Sequence, residues 1–318
     1  MHVAILTPNG FELREIAIPT IGDAEILVKT AVCGICSGDV FVYKNRQTLA
    51  QQHSRLGHEA SGHIVAVGRS VTGFTVGERV TALSYPAYAD YFVARPDELA
   101  KLPDEVDSLH ALGEAIACCV HAANRFGIQP GDRVAVLGCG FMGQLCLQLA
   151  CYHGAGFICA VDPMADRRKL AGQFGANATV NPFEQDTAAM LAQFGEFDVV
   201  IEAAGTQSVI DLATELVKQH GRIILVGYHQ SNDGRRTVNM QQWNFKAIDV
   251  VNGHVRRNDE KLVAMKEGVR LMQQGHLNTA PLVTVYPLAE AERAFQELVN
   301  GKPGLLKAVL VPNDNSEE

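Results

Sequence analysis

The chain has 318 residues, of which 47% are hydrophobic and 19% are charged, a composition typical of a globular protein with room for two domains. Its net charge is −8 at pH 7 without any basic run, which argues against nucleic acid or an anionic membrane as a partner. No apolar stretch approaches the ~20 residues that span a bilayer, and the first residues lack the basic and apolar regions of a signal peptide. The eight cysteines are scattered rather than arranged as a disulfide framework. The sequence therefore predicts a cytoplasmic protein with reduced thiols.

Roughly the first 110 residues indicate a β-rich domain. Short segments rich in β-branched residues are separated by glycine and proline, the clearest of them at residues 26–32, 63–67 and 79–83. This spacing predicts a small, irregular barrel or sandwich.

From residue 109 onward, short apolar strands alternate with helices. The predicted elements are strands at 133–137, 157–161, 178–180, 198–202 and 222–227 and helices at 109–126, 142–153, 165–174 and 207–219. Alternation at this spacing builds βαβ units, and these units form a parallel sheet with helices on both faces.

The pattern changes again after residue 253. Helices are predicted at 259–274 and 287–300, and strands at 284–286 and 307–311. We expect this segment to return to the first domain, and we expect its acidic end, N-D-N-S-E-E, to fray.

A glycine-rich loop follows the strand at 133–137 and opens a predicted helix. Its sequence is G-C-G-F-M-G, with glycine at Gly138, Gly140 and Gly143 and with Phe141 and Met142 between them. The first glycine permits a tight turn, the second lets the backbone approach a pyrophosphate, and the third lets the helix pack close to the strand. The positive end of the helix would attract the phosphate charge. The loop therefore predicts a dinucleotide site, although a similar turn occurs in other α/β proteins.

An acidic residue stands where a ribose would be bound. Asp162 ends the second predicted strand and lies 19 residues after Gly143, close to the ~20-residue offset of the residue that receives the ribose 2′-hydroxyl. Its carboxylate would repel a 2′-phosphate, which favours NAD over NADP. Arg167 and Arg168 lie just beyond it and keep NADP open.

Four side chains from separate stretches have the chemistry of zinc ligands. They are Cys36, His58, Glu59 and Glu114. One thiolate, one imidazole and one or two carboxylates suit one tetrahedral, catalytic Zn²⁺ with a position left for water or substrate. A zinc that polarises an alcohol or a carbonyl, in a chain that also binds a nicotinamide cofactor, indicates hydride transfer.

The C-x-x-C formed by Cys33 and Cys36 has two other interpretations. It could be half of a zinc ribbon or a thioredoxin-like redox pair. No second C-x-x-C or H-x-x-x-H is present to complete a ribbon. A redox pair would open a helix after a strand, and the adjoining S-G-D is a poor helix start.

The segment Gly57-His58-Glu59-Ala-Ser-Gly62, followed by Gly68 and Val71, resembles the zinc signature of the zinc-dependent medium-chain dehydrogenases/reductases of the alcohol and polyol type. The pattern is most like that of sorbitol and threonine dehydrogenases, and the resemblance runs from residue 1 to about 312. It implies an α/β fold in which residues 1–118 and 254–318 form a GroES-like β-rich catalytic domain. Residues 119–253 would form a Rossmann doubly wound parallel-sheet domain. The implied activity interconverts a secondary alcohol and its ketone with NAD(H), in a homo-oligomer (dimer or tetramer).

The resemblance also assigns roles to individual residues. Within G-I-C-x-x-D the zinc ligand is Cys36, and His58 is the imidazole ligand. Asp39 matches the carboxylate that orients this histidine, a role that ligating histidines usually need filled. Glu59 matches a carboxylate that binds zinc in some states, and Glu114 matches one that binds directly or through water. For Glu114 the alternative is a helix-start carboxylate favoured by the helix dipole.

Three further expectations arise from the resemblance. Cys33 would be a small buried residue. Lys307 falls where relatives place a basic residue near the cofactor phosphates, and an exposed lysine at a strand start is the alternative. Segment 79–93 contains no cysteine where the family often has four, so we expect no structural zinc.

The chain departs from the family pattern at the proton relay. The hydroxyl that begins the relay is replaced by Gly38, and the next common relay position is Phe41. Ser37, Tyr43 or His53 could substitute, although ordinary roles for each are favoured, so the sequence leaves the proton route unassigned.

The substrate is a small molecule whose identity the sequence does not fix. The loops expected to shape its pocket carry several hydrogen-bonding side chains, namely His53, Arg55, Tyr88, His254 and Arg256. These favour a polyol, sugar or cyclitol over a plain alkyl alcohol. The alternative functions are a zinc-free, NADPH-dependent quinone or enoyl reductase and a non-catalytic NAD(H)-binding sensor.

Relatives pair into oligomers through an edge strand of the cofactor domain. In this chain, residues 222–227 together with the segment directly after them are the expected edge.

Overall fold

The computed structural model of the protein describes residues 1–184, 191 and 193–312. The chain divides into two compact units, Met1–Ala117 with Arg257–Glu318, and Cys118–Arg256. The sequence analysis set the boundaries after residues 118 and 253. The acidic end that was expected to fray lies outside the described residues.

Both units combine strands with helices. The strands are β1 (His2–Thr7), β2 (Gly10–Glu15), β3 (Ile26–Gly34), β4 (Glu59–Val67), β5 (Arg79–Ala82), β6 (Tyr91–Ala94), β7 (Leu99–Lys101), β8 (Arg133–Leu137), β9 (Phe157–Val161), β10 (Ala178–Val180), β11 (Phe197–Glu202), β12 (Val217–Leu225), β13 (Asp249–Asn252), β14 (Val283–Pro287) and β15 (Lys307–Val311). The helices are α1 (Ser37–Lys44), α2 (Arg46–Leu49), α3 (Gly113–Ala123), α4 (Phe141–Tyr152), α5 (Ala165–Gln173), α6 (Gln207–Leu216), α7 (Met240–Lys246), α8 (Asn258–Gln273) and α9 (Ala291–Val299). In the part of the chain that the structure describes, no helix is long and apolar enough to cross a membrane.

The first unit is built on a sheet in which the strand order is β14-β15-β3-β4-β5-β7, with β6 also paired to β3. All these pairs are antiparallel except β14 with β15. In the register of β3 with β4, Gly34 lies opposite Glu59. In the register of β15 with β3, Val309 lies opposite Gly34. The carboxyl end of β3 therefore lies next to the beginning of β4 and the first half of β15.

An aromatic cluster holds helix α9 against the strands of the first unit. The ring of Phe295 lies 4.6 Å from that of Phe11, 5.1 Å from that of Tyr43 and 6.0 Å from that of Tyr88, between centroids. The Tyr43 hydroxyl donates to Glu292 Oε1 at 2.5 Å, so its polar end is satisfied within the cluster. This packing fixes α1, which carries part of the candidate site.

The second unit contains a parallel sheet with the order β10-β9-β8-β11-β12-β13. This is the doubly wound arrangement, in which the strand order reverses between the first and fourth strands. β8 (R-V-A-V-L) and β9 (F-I-C-A-V) are nearly continuous in apolar residues, as expected for strands covered on both faces. β8 ends immediately before the glycine loop, at the reversal where such folds bind ligands. The prediction of a β-rich unit beside a parallel-sheet unit is confirmed.

The helix predicted at 109–126 is wrong at its start. A 3₁₀ turn at Ser108–His110 comes first, and α3 begins only at Gly113. The Thr81 hydroxyl donates to the Ala111 carbonyl at 2.7 Å and accepts from the Gly113 N–H at 2.9 Å. These side-chain bonds from β5 take the backbone groups that a continuous helix would use.

The helix predicted at 207–219 also ends early, and of the predicted edge only the part that follows residues 222–227 lies at the edge of the sheet. Helix α6 ends at Leu216 because Val217 pairs with Phe197 of β11, and the positive φ of 57° at His220 is incompatible with a helix. β12 lies inside the sheet between β11 and β13. The edge is the next strand, β13, and its residues are largely exposed.

We expect Phe295→Ala to lower the free energy of unfolding by ~3–5 kcal/mol, because it leaves a cavity inside the aromatic cluster. Phe183→Ala is the control, since Phe183 is 82% exposed, and its effect should stay within ~0.5 kcal/mol. Urea unfolding followed by circular dichroism measures both. Equal, small losses would contradict the importance of the cluster.

Candidate metal centre and cofactor loop

Three of the four proposed ligands lie together in the first unit. One ligand atom each from Cys36, His58 and Glu59 lies within 4.8 Å of the others. Cys36 is the N-cap of α1, His58 directly precedes β4, and Glu59 is its first residue. Zinc–ligand bonds of ~2.0–2.3 Å require only a small inward movement of these side chains. The donor set and its spacing fit a zinc ion.

Helix α1 begins directly after the cluster, contrary to the expectation that S-G-D is a poor helix start. The Cys36 sulfur accepts from the Gly38 N–H at 3.4 Å, and Asp39 adds a negative charge in the first turn. Cys33 still does not fit a redox pair. It is 1% exposed, and burial raises the pKa of its thiol well above the usual value, which makes it unreactive.

Asp39 lies behind His58. The distance from His58 Nδ1 to Asp39 Oδ1 is 3.7 Å, and the Tyr88 hydroxyl donates to Asp39 Oδ2 at 2.6 Å. Burial raises the pKa of the Asp39 carboxyl, while the charge of His58 and the Tyr88 hydroxyl act in the opposite direction. Tyr88 is only 1% exposed, so the expectation that it lines a substrate pocket is wrong. Its hydroxyl instead holds Asp39, the carboxylate that lies against His58.

The electrostatics of the cluster favour a positive charge at its centre. Burial alone would lower the pKa of His58, but a hydrogen bond to Cys36 and the negative charges of Asp39, Cys36 and Glu59 raise it to about 10. The imidazole therefore lies among negatively charged groups, of which Glu59 is also paired with Lys307. A divalent cation bound by the same groups supplies that positive charge instead.

Lys307 completes the cluster from β15. Its ammonium forms an ion pair with Glu59 Oε2, and both side chains are buried. Burial lowers the pKa of Lys307, but the charges of Glu59, Cys36 and Glu114 raise it, so the side chain stays charged. Lys307 is therefore not the exposed strand-start lysine considered as an alternative. Its ammonium is paired with Glu59 rather than left for a phosphate.

Gly34 makes room for this ion pair. A Cβ at Gly34 would overlap Glu59 Oε2 and would lie 3.1 Å from Lys307 Cε and 3.2 Å from Leu112 Cδ1. The sequence analysis did not single out Gly34, because its role depends on the register of β3 against β4, which no local pattern reveals.

Glu114 lies apart from the three-residue cluster. It occupies the first turn of α3, and its Oε1 is 2.6 Å from the Lys261 ammonium of α8. Both side chains are mostly buried. The sequence analysis did not single out Lys261, since nothing local connects it with a residue 147 positions earlier.

The three proton-relay candidates predicted from the sequence differ in burial and in their neighbours. Tyr43 is buried and bonded to Glu292, so it is not at the site. Ser37 and His53 are exposed. The structure instead brings Tyr85 to the site, with its ring 5.9 Å from that of His58. Burial, with the charges of Asp39 and Cys33, raises the pKa of Tyr85 to about 12.

The other residues expected around the substrate belong to different surroundings. Arg55 is exposed in the first unit. His254 and Arg256 lie in the second unit, where His254 Nε2 is 3.3 Å from the Gly227 carbonyl oxygen. Burial lowers the pKa of His254, so this ring is neutral at pH 7.

The glycine loop of the second unit has the local geometry of a phosphate-binding turn. Gly138 has a φ of 94°, which favours glycine. A Cβ at Gly143 would overlap the Gly138 carbonyl, so α4 packs directly on the loop. Helix α4 begins at Phe141, continues through Met142, and has no side-chain cap at Gly140. The positive end of its dipole therefore faces the loop.

Asp162 is buried and fastens this loop to the end of β9. Its Oδ2 accepts from the Cys139 N–H and its Oδ1 from the Met164 N–H, both at 2.8 Å. Arg167 Nη1 lies 3.7 Å from Asp162 Oδ2, while Arg168 donates to the Asp162 carbonyl at 2.7 Å. A carboxylate offers about four acceptor positions, so Asp162 retains capacity for a ribose hydroxyl.

Two buried polar side chains that the sequence analysis missed also hold loops at this edge of the sheet. Gln144 donates to the carbonyls of Cys139 and Arg167 at 3.1 and 2.9 Å. Glu202, at the end of β11, lies 3.1 Å from His229 Nε2. The only signal in the sequence is their position, just after the third glycine and at the carboxyl end of a strand.

Comparison with known proteins gives two family matches. The alcohol dehydrogenase GroES-like domain matches residues 22–104, and the zinc-binding dehydrogenase domain matches residues 142–270. A sorbitol dehydrogenase of Halalkalibacterium halodurans is 28% identical over 99% of this chain and 100% of the relative.

Two solved structures extend the comparison. An Escherichia coli oxidoreductase/dehydrogenase of unknown specificity superposes with a TM-score of 0.87 at 27% identity, covering 98% of this chain and 99% of that chain. A Sinorhizobium meliloti protein assigned as a zinc-binding dehydrogenase, solved with bound NADP, has a TM-score of 0.84 at 24% identity and the same coverage.

Both domain types expected from the sequence thus have a family match in this chain, and the sorbitol dehydrogenase matches over its whole length. The chain belongs to the zinc-type medium-chain dehydrogenases/reductases and is an oxidoreductase of alcohols.

Proposed function

We propose that this chain is a zinc-dependent, NAD(H)-linked dehydrogenase that interconverts a secondary alcohol, namely a polyol, sugar or cyclitol, and its ketone. The observation that carries the proposal is the convergence of Cys36, His58 and Glu59 within 4.8 Å, in a chain whose second unit carries a phosphate-binding glycine loop. Three protein ligands with one open position are the arrangement of a catalytic zinc.

Cys36, His58 and Glu59 would hold the zinc. When bound, zinc supplies Lewis acidity that lowers the pKa of an alcohol hydroxyl, and the nicotinamide accepts hydride. Asp39 would orient His58 once zinc is bound, since its Oδ1 lies 3.7 Å from His58 Nδ1 while the ring is hydrogen-bonded to Cys36. Lys307 offsets the charge of the buried Glu59, so that the carboxylate is not buried without a partner.

Tyr85 would contact the substrate, because its ring lies 5.9 Å from that of the zinc ligand His58. The raised pKa of about 12 keeps its hydroxyl protonated at neutral pH, so Tyr85 can donate a hydrogen bond to a substrate oxygen. It is 49% exposed, which leaves room for a substrate against its ring. Such a donor suits any substrate with a hydroxyl group, and the choice of a polyol, sugar or cyclitol is supported by the similarity to sorbitol dehydrogenases.

NAD is the proposed cofactor. The Asp162 carboxylate lies at the end of β9 and is bonded to the glycine loop, where its charge would oppose a 2′-phosphate. Gly138, Gly140, Phe141, Met142 and Gly143 would surround the pyrophosphate. Arg167 lies beside Asp162 and is the residue that would lessen this preference.

The two alternatives are less well supported. A zinc-free NADPH-dependent reductase does not need a thiolate, an imidazole and a carboxylate gathered in one place. A non-catalytic NAD(H) sensor is favoured only by Gly38 and Phe41 at the relay positions.

We further propose a cytoplasmic homo-oligomer, dimer or tetramer, with β13 as the pairing edge because its residues are largely exposed.

Elemental analysis of protein purified without chelator should give about one zinc per chain. Cys36→Ala and His58→Ala should lose the metal and reduce NAD⁺-dependent polyol oxidation by more than ~100-fold, since removal of even a supporting partner costs ~10–100-fold. Cys151→Ala, at an exposed free cysteine, should change neither. Unchanged turnover in the Cys36 and His58 variants would refute the proposal, and two zincs per chain would refute the single-site assignment.

Gly34→Ala should weaken zinc binding by at least ~10-fold, because its Cβ would displace Glu59 from the cluster. The control is Gly172→Ala, where a Cβ meets nothing within 4 Å. Competition with a chromophoric chelator measures both affinities. If the two variants bind zinc equally well, Glu59 does not hold the metal in this geometry.

The ratio of kcat/KM for NAD⁺ to that for NADP⁺ should exceed ~10 in the unaltered protein. It should fall by at least ~10-fold in Asp162→Asn, because one unit of opposing charge near the 2′-phosphate is worth about 1.4 kcal/mol or more in a partly buried site. Asp166→Asn, at an exposed carboxylate on the next helix, is the control and should leave the ratio unchanged. An equal change in both variants would contradict the assignment of Asp162.

A further inference from the structure

Two mostly buried lysines of the first unit are each paired with a different carboxylate. The Lys307 ammonium is paired with Glu59, inside the donor cluster. The Lys261 ammonium is paired with Glu114, which stands outside it. A cation and an anion at 2.6 Å with both side chains mostly buried are held together far more strongly than an exposed surface pair.

The contact between α3 and α8 is built to bring Lys261 to Glu114. A Cβ at Gly113 would lie 2.6 Å from Met265 Sδ, so the absence of a side chain there lets α8 approach the start of α3. Met265 is buried and lies four residues after Lys261, hence on the same face of α8. Two neighbouring positions of α3, Gly113 and Glu114, therefore face two successive turns of α8.

The charge of Glu114 is felt at the cluster even though Glu114 is not part of it. Lys307 interacts electrostatically with Glu59, Cys36 and Glu114. Without Lys261 as its partner, the Glu114 carboxylate would be attracted to a zinc ion held by Cys36, His58 and Glu59, because a buried carboxylate is costly without a cation beside it. A fourth protein ligand would give the closed, four-coordinate arrangement of a structural zinc.

We propose that Lys261 is a positioning residue that holds Glu114 away from the metal. The metal then takes Cys36, His58 and Glu59 as its protein ligands, and its remaining position stays open for a substrate hydroxyl. This inference rests on the proposed zinc function, and it identifies what keeps the site catalytic rather than structural in this chain.

The test is zinc affinity, measured by competition with a chromophoric chelator, together with the visible absorption of the cobalt-substituted protein. Lys261→Met keeps the length of the side chain and removes its charge. Because Glu114 is released to the metal, this variant should bind zinc ~10-fold or more tightly, shift the cobalt d–d bands, and lose polyol turnover. Lys261→Arg, which keeps the positive charge, should behave like the unaltered protein in all three measurements. Lys266→Met, at an exposed position of the same helix, is the matched control and should change nothing.

Glu114→Gln provides the second arm. In the unaltered background it should change zinc affinity by less than ~3-fold, whereas in the Lys261→Met background it should cancel the gain; Glu59→Gln should weaken binding by at least ~10-fold. The inference is overturned if Glu114→Gln alone weakens zinc binding as much as Glu59→Gln, because Glu114 is then already a ligand. It is also overturned if Lys261→Met leaves affinity and cobalt spectrum unchanged. If Lys261→Met does not fold, Lys261→Gln, which also removes the positive charge, takes its place in both arms.

Failure of the proposed function has a different signature. In that case the unaltered protein would bind no zinc, or Cys36→Ala would bind it equally well. An unaltered protein that binds one zinc through Cys36 and oxidises polyols, but in which Glu114→Gln loses the metal, would overturn only the role of Lys261.

Discussion

The antiparallel register of β3 with β4 determines where the metal donors lie. Gly34 at the end of β3 faces Glu59 at the beginning of β4. Cys36 comes two residues after Gly34, and His58 immediately precedes Glu59. A slip of one residue would turn Glu59 to the other face of the sheet and separate the donors. The buried side chains of both strands therefore position the candidate site as much as they stabilise the sheet.

Charge compensation is the second constraint, and it depends on this register. A buried carboxylate is costly unless it is paired and hydrogen-bonded. β15 pairs with β3 so that Lys307 lies beside Glu59, while α8 places Lys261 beside Glu114. The two lysines offset the charges of Glu59 and Glu114, and Asp39 lies against His58.

The sequence predicted those parts of the fold and site that depend on local chemistry. The glycine loop, the acidic residue after it and the alternation of β8 to β11 with helices are local signals, and so are the donors Cys36, His58 and Glu59. The misplaced helix boundaries have non-local causes, since Thr81 of β5 interrupts the helix expected before Gly113. The same holds for Lys261 and Tyr85, which reach the site through packing between segments distant in sequence. No periodicity or motif encodes such contacts.

Tyr85 provides a hydroxyl near His58 in a chain that lacks the usual relay hydroxyl. Gly38 and Phe41 occupy the usual relay positions, and the short connection between β5 and β6 brings the ring of Tyr85 to 5.9 Å from that of His58. A phenol with a pKa of about 12 donates a hydrogen bond at neutral pH but does not accept a proton from an alcohol. Tyr85 can therefore orient a substrate oxygen without serving as the base. The His58 side chain is 24% exposed, so solvent reaches the ring and is a candidate acceptor for the proton of the alcohol.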